Sequence, residues 1–211
     1  MGEDLGFAFV DLAGFTALTE AHGDEVGAAQ VARFGELTCG SLVGGTRLVK
    51  SLGDAVMLAG PPAGVLATAL AVMRACLSEP EFPVPRSGAH AGPAVRQDDD
   101  YLGTAVNTAA RIAARAAGGQ LQLSASMLPS VHAAGETAVP LGPVALRNLR
   151  DPVELHMIEL DAGGALIDPV CRMRVALEST AGHLKHAGVD WWFCSLPCAA
   201  AFAQYPAAYA G

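Results

Sequence analysis

The order of strand-like and helix-like segments limits this chain to few architectures. A short apolar run that ends in an acid (FAFVDL, residues 7–12) predicts a buried strand, and helical character follows over residues 17–38. Residues 47–58 (RLVKSLGDAVML) form two β-prone runs around Gly53 and Asp54, which is typical of a hairpin. The other predicted elements are helices over 63–77 and 105–117 and strands over 86–95, 120–124, 144–149 and 153–160. This order favours an α+β, ferredoxin-like β-α-β-β-α-β domain with additions.

Length and composition favour a packed domain followed by a smaller one. The chain has 211 residues, of which 52% are hydrophobic and 16% charged, a composition typical of a globular protein. Gly163 and Gly164 mark the best linker. We therefore predict a first domain over residues 1–160, a linker over 161–166 and a small cysteine-containing module over 167–211.

Charge and hydropathy exclude several classes of partner. The net charge of -8 argues against nucleic acid or an anionic membrane as the main partner. Residues 1–5 carry two acids where a secretory leader would be basic, and the apolar segment 63–77 is too short to span a bilayer. We therefore expect a cytoplasmic protein that neither inserts into membranes nor binds nucleic acid.

Several polar residues are ambiguous when each is taken alone. Asp11 after an apolar run is most often a helix N-cap, the turn at Gly53 and Asp54 needs no function, and Lys50 is an ordinary surface charge. Asn107 and Arg111 are four positions apart and so share one helix face. Read singly, they form only an exposed polar stripe.

Metal-assisted phosphoryl transfer would use all of these residues together. Two carboxylates can hold two divalent ions, which activate a hydroxyl and neutralise a triphosphate. An arginine facing the reacting phosphorus stabilises the charge that develops there. A lysine donor beside a carboxylate acceptor matches the edge of adenine, whereas guanine reverses that pattern of donors and acceptors.

Five segments, in order, resemble the signature stretches of class III adenylate and guanylate cyclases. The resemblance covers roughly residues 5–160, and five ordered motifs with compatible gaps are far more specific than a lone glycine pattern. The segments are FVDLAGFTAL (9–18), VKSLGDAVML (49–58), RSGAHAGP (86–93), DYLGTAVNTAARI (100–112) and LRNLRDPVEL (146–155).

The resemblance implies metal ligands and a catalytic pair. Asp11 and Asp54 match the aspartates that coordinate two Mg²⁺ or Mn²⁺ ions, with the Leu12 carbonyl as a further ligand. Asn107 matches the residue that orients the ribose, and Arg111 matches the arginine that stabilises the transition state.

The resemblance also implies how substrate is recognised. Lys50 and Asp100 match the pair that reads adenine, which makes ATP the expected substrate and cyclic AMP the product. Arg147 stands where the family usually has a lysine that contacts the triphosphate, which keeps the charge but changes the donor geometry. Asn148 replaces a usual glycine beside it.

Family members divide each site between two subunits, with metal ligands from one and base-reading residues from the other. This chain contains both sets, so the resemblance implies a homodimer with two equivalent sites. Two alternatives stay open at this point. One is a guanylate cyclase or a cyclase of relaxed base preference, and the other is a non-catalytic binding protein that senses metal or redox state.

The last 45 residues resemble a YHS domain, a unit related to metal-handling TRASH-like modules. The segments that carry this resemblance are DPVCRM (168–173), WWFCSLPC (191–198) and the aromatic residues beyond them. Cys171, Cys194 and Cys198 offer three soft ligands that suit Zn²⁺ or another thiophilic ion. Neither His183 nor His186 is a compelling fourth ligand. The same cysteines are also consistent with reduced core residues or with one disulfide.

Cys39 and Cys76 stand apart from that group. Lone cysteines in a chain of this kind are usually reduced residues of the core.

Overall fold

A seven-stranded sheet with helices on both faces dominates the computed structural model, which describes residues 5–160 and 163–209. The sheet order is β2-β3-β1-β4-β7-β9-β8, and only the β4–β7 pairing in it is parallel. Its strands are β1 (Leu5–Leu12), β2 (Arg47–Leu52), β3 (Ala55–Gly60), β4 (Pro85–Gly92), β7 (Gln120–Ser124), β8 (Val139–Val144) and β9 (Val153–Glu159).

The first part of the chain, residues 5–160, contains the predicted β-α-β-β-α-β core. Its helices are α1 (Phe15–His22), α2 (Asp24–Gly40), α3 (Pro62–Ser78), α4 (Thr104–Arg115) and α5 (Leu128–Ala133). A small hairpin, β5 (Val95–Gln97) and β6 (Asp100–Leu102), leads into α4. The ferredoxin-like α+β prediction is therefore confirmed, with β7, β8 and β9 as the additions.

The C-terminal region, residues 163–209, is built from short elements. These are β10 (Leu166–Ile167), β11 (Arg174–Val175), β12 (Gly182–His186), β13 (Val189–Phe193), α6 (Leu196–Gln204) and α7 (Pro206–Tyr209). Residues 161 and 162 of the predicted linker lie outside the described residues. None of the helices within 5–160 and 163–209 has the length and apolarity needed to cross a bilayer.

The central strand β1 separates two apolar layers because its side chains alternate. Ala8 and Val10 face a large core that includes the apolar side of α3. Phe7 faces the opposite side, where it packs with Ala105 and Ala109 of α4. The 17-residue α3 and the 12-residue α4 thus cover the two faces of the same strand.

Gly88 lets α4 lie directly on strand β4. A Cβ atom built on Gly88 would stand 1.9 Å from the backbone nitrogen of Ala113 and 2.5 Å from its Cα. No side chain at this position could avoid the helix backbone. The glycine therefore fixes how closely the helix that carries Asn107 and Arg111 approaches the sheet.

Three local predictions were wrong. The helix predicted over 17–38 is two helices, separated at Gly23, whose φ of 88° is a left-handed conformation. The strand predicted over 144–149 is instead a loop, and β8 precedes it. The apolar residues in that loop pack beside Ile112 of α4, which explains why they resemble a buried strand. Residues 97–101, predicted as a loop, belong to the β5–β6 hairpin.

We predict that Gly88→Ala destabilises the fold strongly, because the new methyl group would overlap the backbone of α4. Overpacking typically costs about 1–3 kcal/mol, and we expect at least the upper value against a rigid helix. Thermal unfolding would measure the loss. Gly35→Ala is the matched control, since nothing lies within 4 Å of its Cβ position and alanine favours a helix interior by about 0.5–1 kcal/mol. Equal melting temperatures for the two variants would contradict the close approach.

Candidate active site

Asp11 and Asp54 lie beside each other at one end of the sheet. Asp11 is the penultimate residue of β1, and Asp54 occupies the turn between β2 and β3. Asp11 pairs in register with Ala55, and the Leu12 amide donates to the Asp54 carbonyl at 3.1 Å. Asp11 is not a helix N-cap, because Gly14 holds that position in α1. The hairpin thus brings together two carboxylates that are far apart in sequence.

Arg86 forms an ion pair with Asp11. It lies opposite Asp11 in the β1–β4 ladder and donates to Asp11 Oδ2 through Nε at 2.8 Å and Nη2 at 2.5 Å. Burial raises the pKa of Asp11, Arg86 opposes that rise, and the nearby Asp54 carboxylate adds to it. Both Arg86 bonds end on Oδ2, so Oδ1 lies outside this ion pair.

Lys50 and Asp100 form a half-exposed ion pair between β2 and β6. Lys50 Nζ lies 2.5 Å from Asp100 Oδ2, and the Tyr101 amide donates to Asp100 Oδ1 at 2.8 Å. The hydrogen bond from Lys50, followed by that from the Tyr101 backbone, lowers the pKa of Asp100. The buried Tyr101 ring packs edge-on against Phe7, which fixes the strand that carries Asp100.

The Lys50–Asp100 pair lines a cavity of about 400 Å³ with both polar and apolar walls. Val49 and Leu102 supply apolar surface beside the charged pair. A flat heteroaromatic ring could be covered by those side chains while its edge meets a donor and an acceptor.

Asn107, Arg111 and Arg147 share a second cavity, also of about 400 Å³. Asn107 and Arg111 project from the exposed side of α4, opposite the buried Ile112. Arg147 comes from the loop after β8, and Arg150 of the same loop also lines the cavity. A chain with an excess of acids therefore places three guanidinium groups around one space, which suits a polyanionic ligand.

Asn148 explains how the arginine loop tolerates the loss of a glycine. Its φ is 62°, in the left-handed region that asparagine adopts more readily than most residues. The replacement of the family's usual glycine is thus compatible with the loop conformation on which Arg147 and Arg150 depend.

The predicted site residues therefore form three groups within one chain. Asp11, Leu12 and Asp54 make one group at the end of the sheet, and neither aspartate lines the two cavities just described. The other two groups are joined by a short stretch of chain, because β6 ends at Leu102 and α4 begins at Thr104.

The three C-terminal cysteines come together, with His22 of α1 beside them. The structure records all three as free thiols, and the Cys171–Cys194 Sγ separation of 3.3 Å far exceeds the roughly 2.05 Å of a disulfide. Sulfhydryl donation from Cys171 and Cys194 lowers the pKa of Cys198. The disulfide alternative is not what the structure shows.

The histidines suggested by sequence lie elsewhere. His183 contacts Asp190 at 2.9 Å, and the His186 ring packs against Phe202. Of the two lone cysteines, Cys76 is buried in the core, where desolvation raises its pKa to about 12, whereas Cys39 is exposed. The core prediction is therefore right for Cys76 and wrong for Cys39.

The fold of most of the chain is similar to that of nucleotide cyclases. A solved structure, an adenylate/guanylate cyclase/hydrolase from Silicibacter pomeroyi, superposes with a TM-score of 0.67 at 25% identity over 75% of this chain and 98% of its own. The fold is that of a class III adenylate/guanylate cyclase catalytic domain. We refer to residues 5–160 as the cyclase-fold domain.

Two curated relatives with similar sequences are named adenylate cyclases. A pH-sensitive adenylate cyclase of Mycobacterium tuberculosis is 32% identical over 171 residues, 76% of this chain and 43% of its own. An adenylate cyclase of Streptomyces coelicolor is 38% identical over 111 residues, 51% of this chain and 29% of its own. The chain thus spans less than half the length of either relative. No protein-family model matches the chain.

Sequence reasoning missed Arg86, Arg150 and His22. Arg86 could have been found from the strand register once β1 and β4 were paired, because it lies directly opposite Asp11. Arg150 is close to Arg147 in a loop whose course the sequence did not reveal. His22 had no local signal, since Cys194 and Cys198 are 172 and 176 positions away in sequence.

We predict that Lys50→Met raises the pKa of Asp100 back towards 3.8, the value of an unperturbed aspartate. The variant removes the hydrogen bond that favours the charged carboxylate. Because the folded pKa is lowered, the pair's contribution to stability is present at neutral pH and is lost as pH falls below about 4. A carboxyl NMR titration would measure the change, with Lys185→Met on the exposed β12 as control. An unchanged Asp100 titration in Lys50→Met would contradict the pair.

Proposed function

We propose that this chain is an adenylate cyclase that converts ATP into 3′,5′-cyclic AMP and pyrophosphate for second-messenger signalling. The observation that carries the proposal is the cavity lined by Asn107, Arg111 and Arg147. Two of these residues lie on α4, which begins just after β6, the strand that holds Asp100 beside Lys50. A triphosphate needs concentrated positive charge, and adenine needs a donor beside an acceptor. The domain provides both on a cyclase fold.

In the proposed reaction, the ribose 3′-oxygen forms a bond to the α-phosphorus while the bond to the β-phosphate oxygen breaks. The 3′-hydroxyl loses its proton to a solvent water molecule, and pyrophosphate leaves. Asn107 would orient the ribose, and Arg111 would stabilise the negative charge that grows on the phosphoryl oxygens. Arg147 and Arg150 would hold the remaining phosphates.

The carboxylate pair fits a site for two Mg²⁺ or Mn²⁺ ions. Asp11 and Asp54 offer hard oxygen ligands side by side, with Asp11 Oδ1 outside the contact to Arg86 and the Leu12 carbonyl as a further donor. When bound, such ions lower the pKa of the attacking hydroxyl and offset phosphate charge. Arg86 would then hold the Asp11 carboxylate in a fixed orientation.

Base choice would depend on Lys50 and Asp100. Lys50 can donate to a ring nitrogen of adenine, and Asp100 can accept from its amino group. The Tyr101 amide holds the Asp100 carboxylate in place. Because an ammonium can only donate and an ionised carboxylate can only accept, the pair cannot reverse its polarity. Guanine would leave both groups unpaired, a mismatch that costs up to about 10⁴-fold in specificity at buried sites.

The separation of the aspartates from both cavities supports a homodimer. A cyclase site needs metal ligands, a base pocket and the arginines together. It would be complete only when a second copy places its aspartates beside the two cavities of the first. Because each chain has every group, a two-fold dimer would contain two equivalent sites.

Two other functions remain as competitors. A guanylate cyclase or one of relaxed base preference would keep the same phosphate cavity. A non-catalytic sensor would act through the cysteine cluster and would not convert nucleotides. We also propose, from the sequence, domain limits of 1–160 and 167–211, a YHS-type C-terminal module and a cytoplasmic location without nucleic-acid partners.

We predict that mixing two inactive variants restores activity. Asp54→Ala lacks a metal ligand, and Arg111→Ala should lose on the order of 10³-fold in kcat. Heterodimers of the two have one intact site, so an equimolar mixture should recover about a quarter of wild-type cyclic AMP formation from Mn²⁺–ATP.

The control for this experiment is a mixture of Asp54→Ala with Asp11→Ala, whose defects fall in the same half of the site. That mixture should stay inactive. Recovery in neither mixture, with both variants folded and dimeric, would place all catalytic groups within one chain. No product from wild-type protein with either ATP or GTP would favour the sensor.

We predict that Lys50→Met lowers kcat/KM for ATP by at least about 10-fold and leaves the low rate with GTP nearly unchanged. The lysine acts on the base, so loss of its contact should change selectivity more than the chemical step. Competition between the two nucleotides, read as the ratio of cyclic products, would measure the change. A ratio that matches wild type would remove Lys50 from base recognition.

A further inference from the structure

Four potential ligands from distant parts of the chain meet where the C-terminal region touches the cyclase-fold domain. His22 ends α1, Cys171 lies in the turn before β11, Cys194 follows β13, and Cys198 is in the first turn of α6. The imidazole Nε2 and the three Sγ atoms all lie within 4.8 Å of one another. They form the one group of this kind in the part of the chain that the structure describes.

The distances within this Cys3His cluster are close to those of tetrahedral coordination. Zinc with thiolate bonds of about 2.3 Å and imidazole bonds of about 2.0 Å places sulfurs about 3.8 Å apart and sulfur about 3.5 Å from nitrogen. The Cys194–Cys198 separation is 3.8 Å, and Cys194 lies 3.4 Å from His22 Nε2. Cys198 lies 3.8 Å from the same nitrogen, and Cys171 lies 3.3 Å from Cys194.

The backbone around the sulfurs is held in place by Asp168. Its fully buried carboxylate accepts the amides of Val170 and Cys194 at 2.8 Å each, and that of Cys171 at 3.3 Å. These bonds fix the two loops that supply Cys171 and Cys194. Ser195 caps α6 by accepting from the Cys198 amide, so the third sulfur sits in the first turn of a helix. The thiol positions are thus preorganised.

His22 is held on the other side of the cluster by packing. Leu18, one turn earlier in α1, is fully buried among Phe193, Cys198 and Phe202 of the C-terminal region. A cavity of about 290 Å³ is lined by both His22 and Cys194, which gives an ion a route to the cluster.

We infer that the protein binds one thiophilic divalent cation, such as Zn²⁺, through His22, Cys171, Cys194 and Cys198. The site is divided between the two parts of the chain, because the imidazole belongs to the cyclase-fold domain and the thiols to the C-terminal region. It goes beyond the proposed cyclase activity and would stand if that activity were absent.

The ion would fasten the C-terminal region to the segments that deliver Asp11 and Arg86. Gly14, in the turn between Asp11 and α1, lies so close to Arg172 that a Cβ there would approach its Cγ to 2.6 Å. The Val84 amide, just before β4, donates to the Arg172 carbonyl at 3.0 Å. Loss of the ion would therefore loosen contacts on both strands that form the Asp11–Arg86 pair.

Cobalt substitution of the full chain tests the site directly. Purified protein stripped of metal and titrated with Co²⁺ should show thiolate charge-transfer absorption and the intense visible bands of a tetrahedral ion, saturating at one Co²⁺ per chain. Zn²⁺ should displace it with the same stoichiometry. Absence of these bands from folded, fully reduced wild-type protein would overturn the proposal in favour of reduced core cysteines.

Two variants identify the fourth ligand. His22→Ala should weaken Co²⁺ binding by at least about 100-fold and shift the visible bands, because water must replace imidazole. The control is His183→Ala, which changes a histidine of the C-terminal region that lies outside the cluster. This variant should bind Co²⁺ as the wild-type protein does. Unchanged affinity and spectrum in His22→Ala would overturn the divided site. The Co²⁺ titration of the wild-type protein needs no variant, so it stays decisive even if a variant misfolds. Neither experiment measures nucleotide turnover.

Discussion

Strand β1 is the element on which the rest of the molecule depends. It lies between β3 and β4, buries side chains on both faces and carries Asp11 as its penultimate residue. The antiparallel pairing on each side fixes what stands next to that aspartate, with Asp54 arriving from the β2–β3 turn and Arg86 from β4. A change of register by one residue would bury the acid and disperse the group. The candidate metal site is therefore a consequence of strand pairing.

Helix α4 has a similar positioning role for the cavity lined by Asn107, Arg111 and Arg147. Because Gly88 lets α4 contact β4 without an intervening side chain, the exposed face of that helix stands at a fixed height above the sheet. Asn107 and Arg111 extend from this face towards the loop that supplies Arg147. The cavity lined by Asn107, Arg111 and Arg147 thus relies on one rigid helix and on one loop with a left-handed asparagine, and only the loop departs from the motif that the sequence suggests.

The sequence was sufficient for the α+β architecture of the first domain and for most residues that the structure groups together, but it did not reveal Arg86, Arg150 or His22. The apolar run of β1 and the Gly53–Asp54 turn are local signals, and both elements form where expected. The loop after β8 has strand-like spacing because it packs on Ile112, so its pattern reflects tertiary contacts. The Arg86 pairing needs the register of two strands, and the His22 neighbourhood needs the docking of two regions. Neither arrangement is encoded within any short window.

The position of His22 has a consequence for how such a chain can be divided or recombined. Three of the four cluster residues would move with the C-terminal region if it were attached to another protein, whereas the imidazole would stay behind in α1. A transplanted copy would possess an incomplete coordination sphere and an uncovered Leu18-binding surface. The two regions are consecutive along the chain, yet neither can be exchanged on its own without loss of the cluster. Evolution should therefore keep the two regions together in one chain.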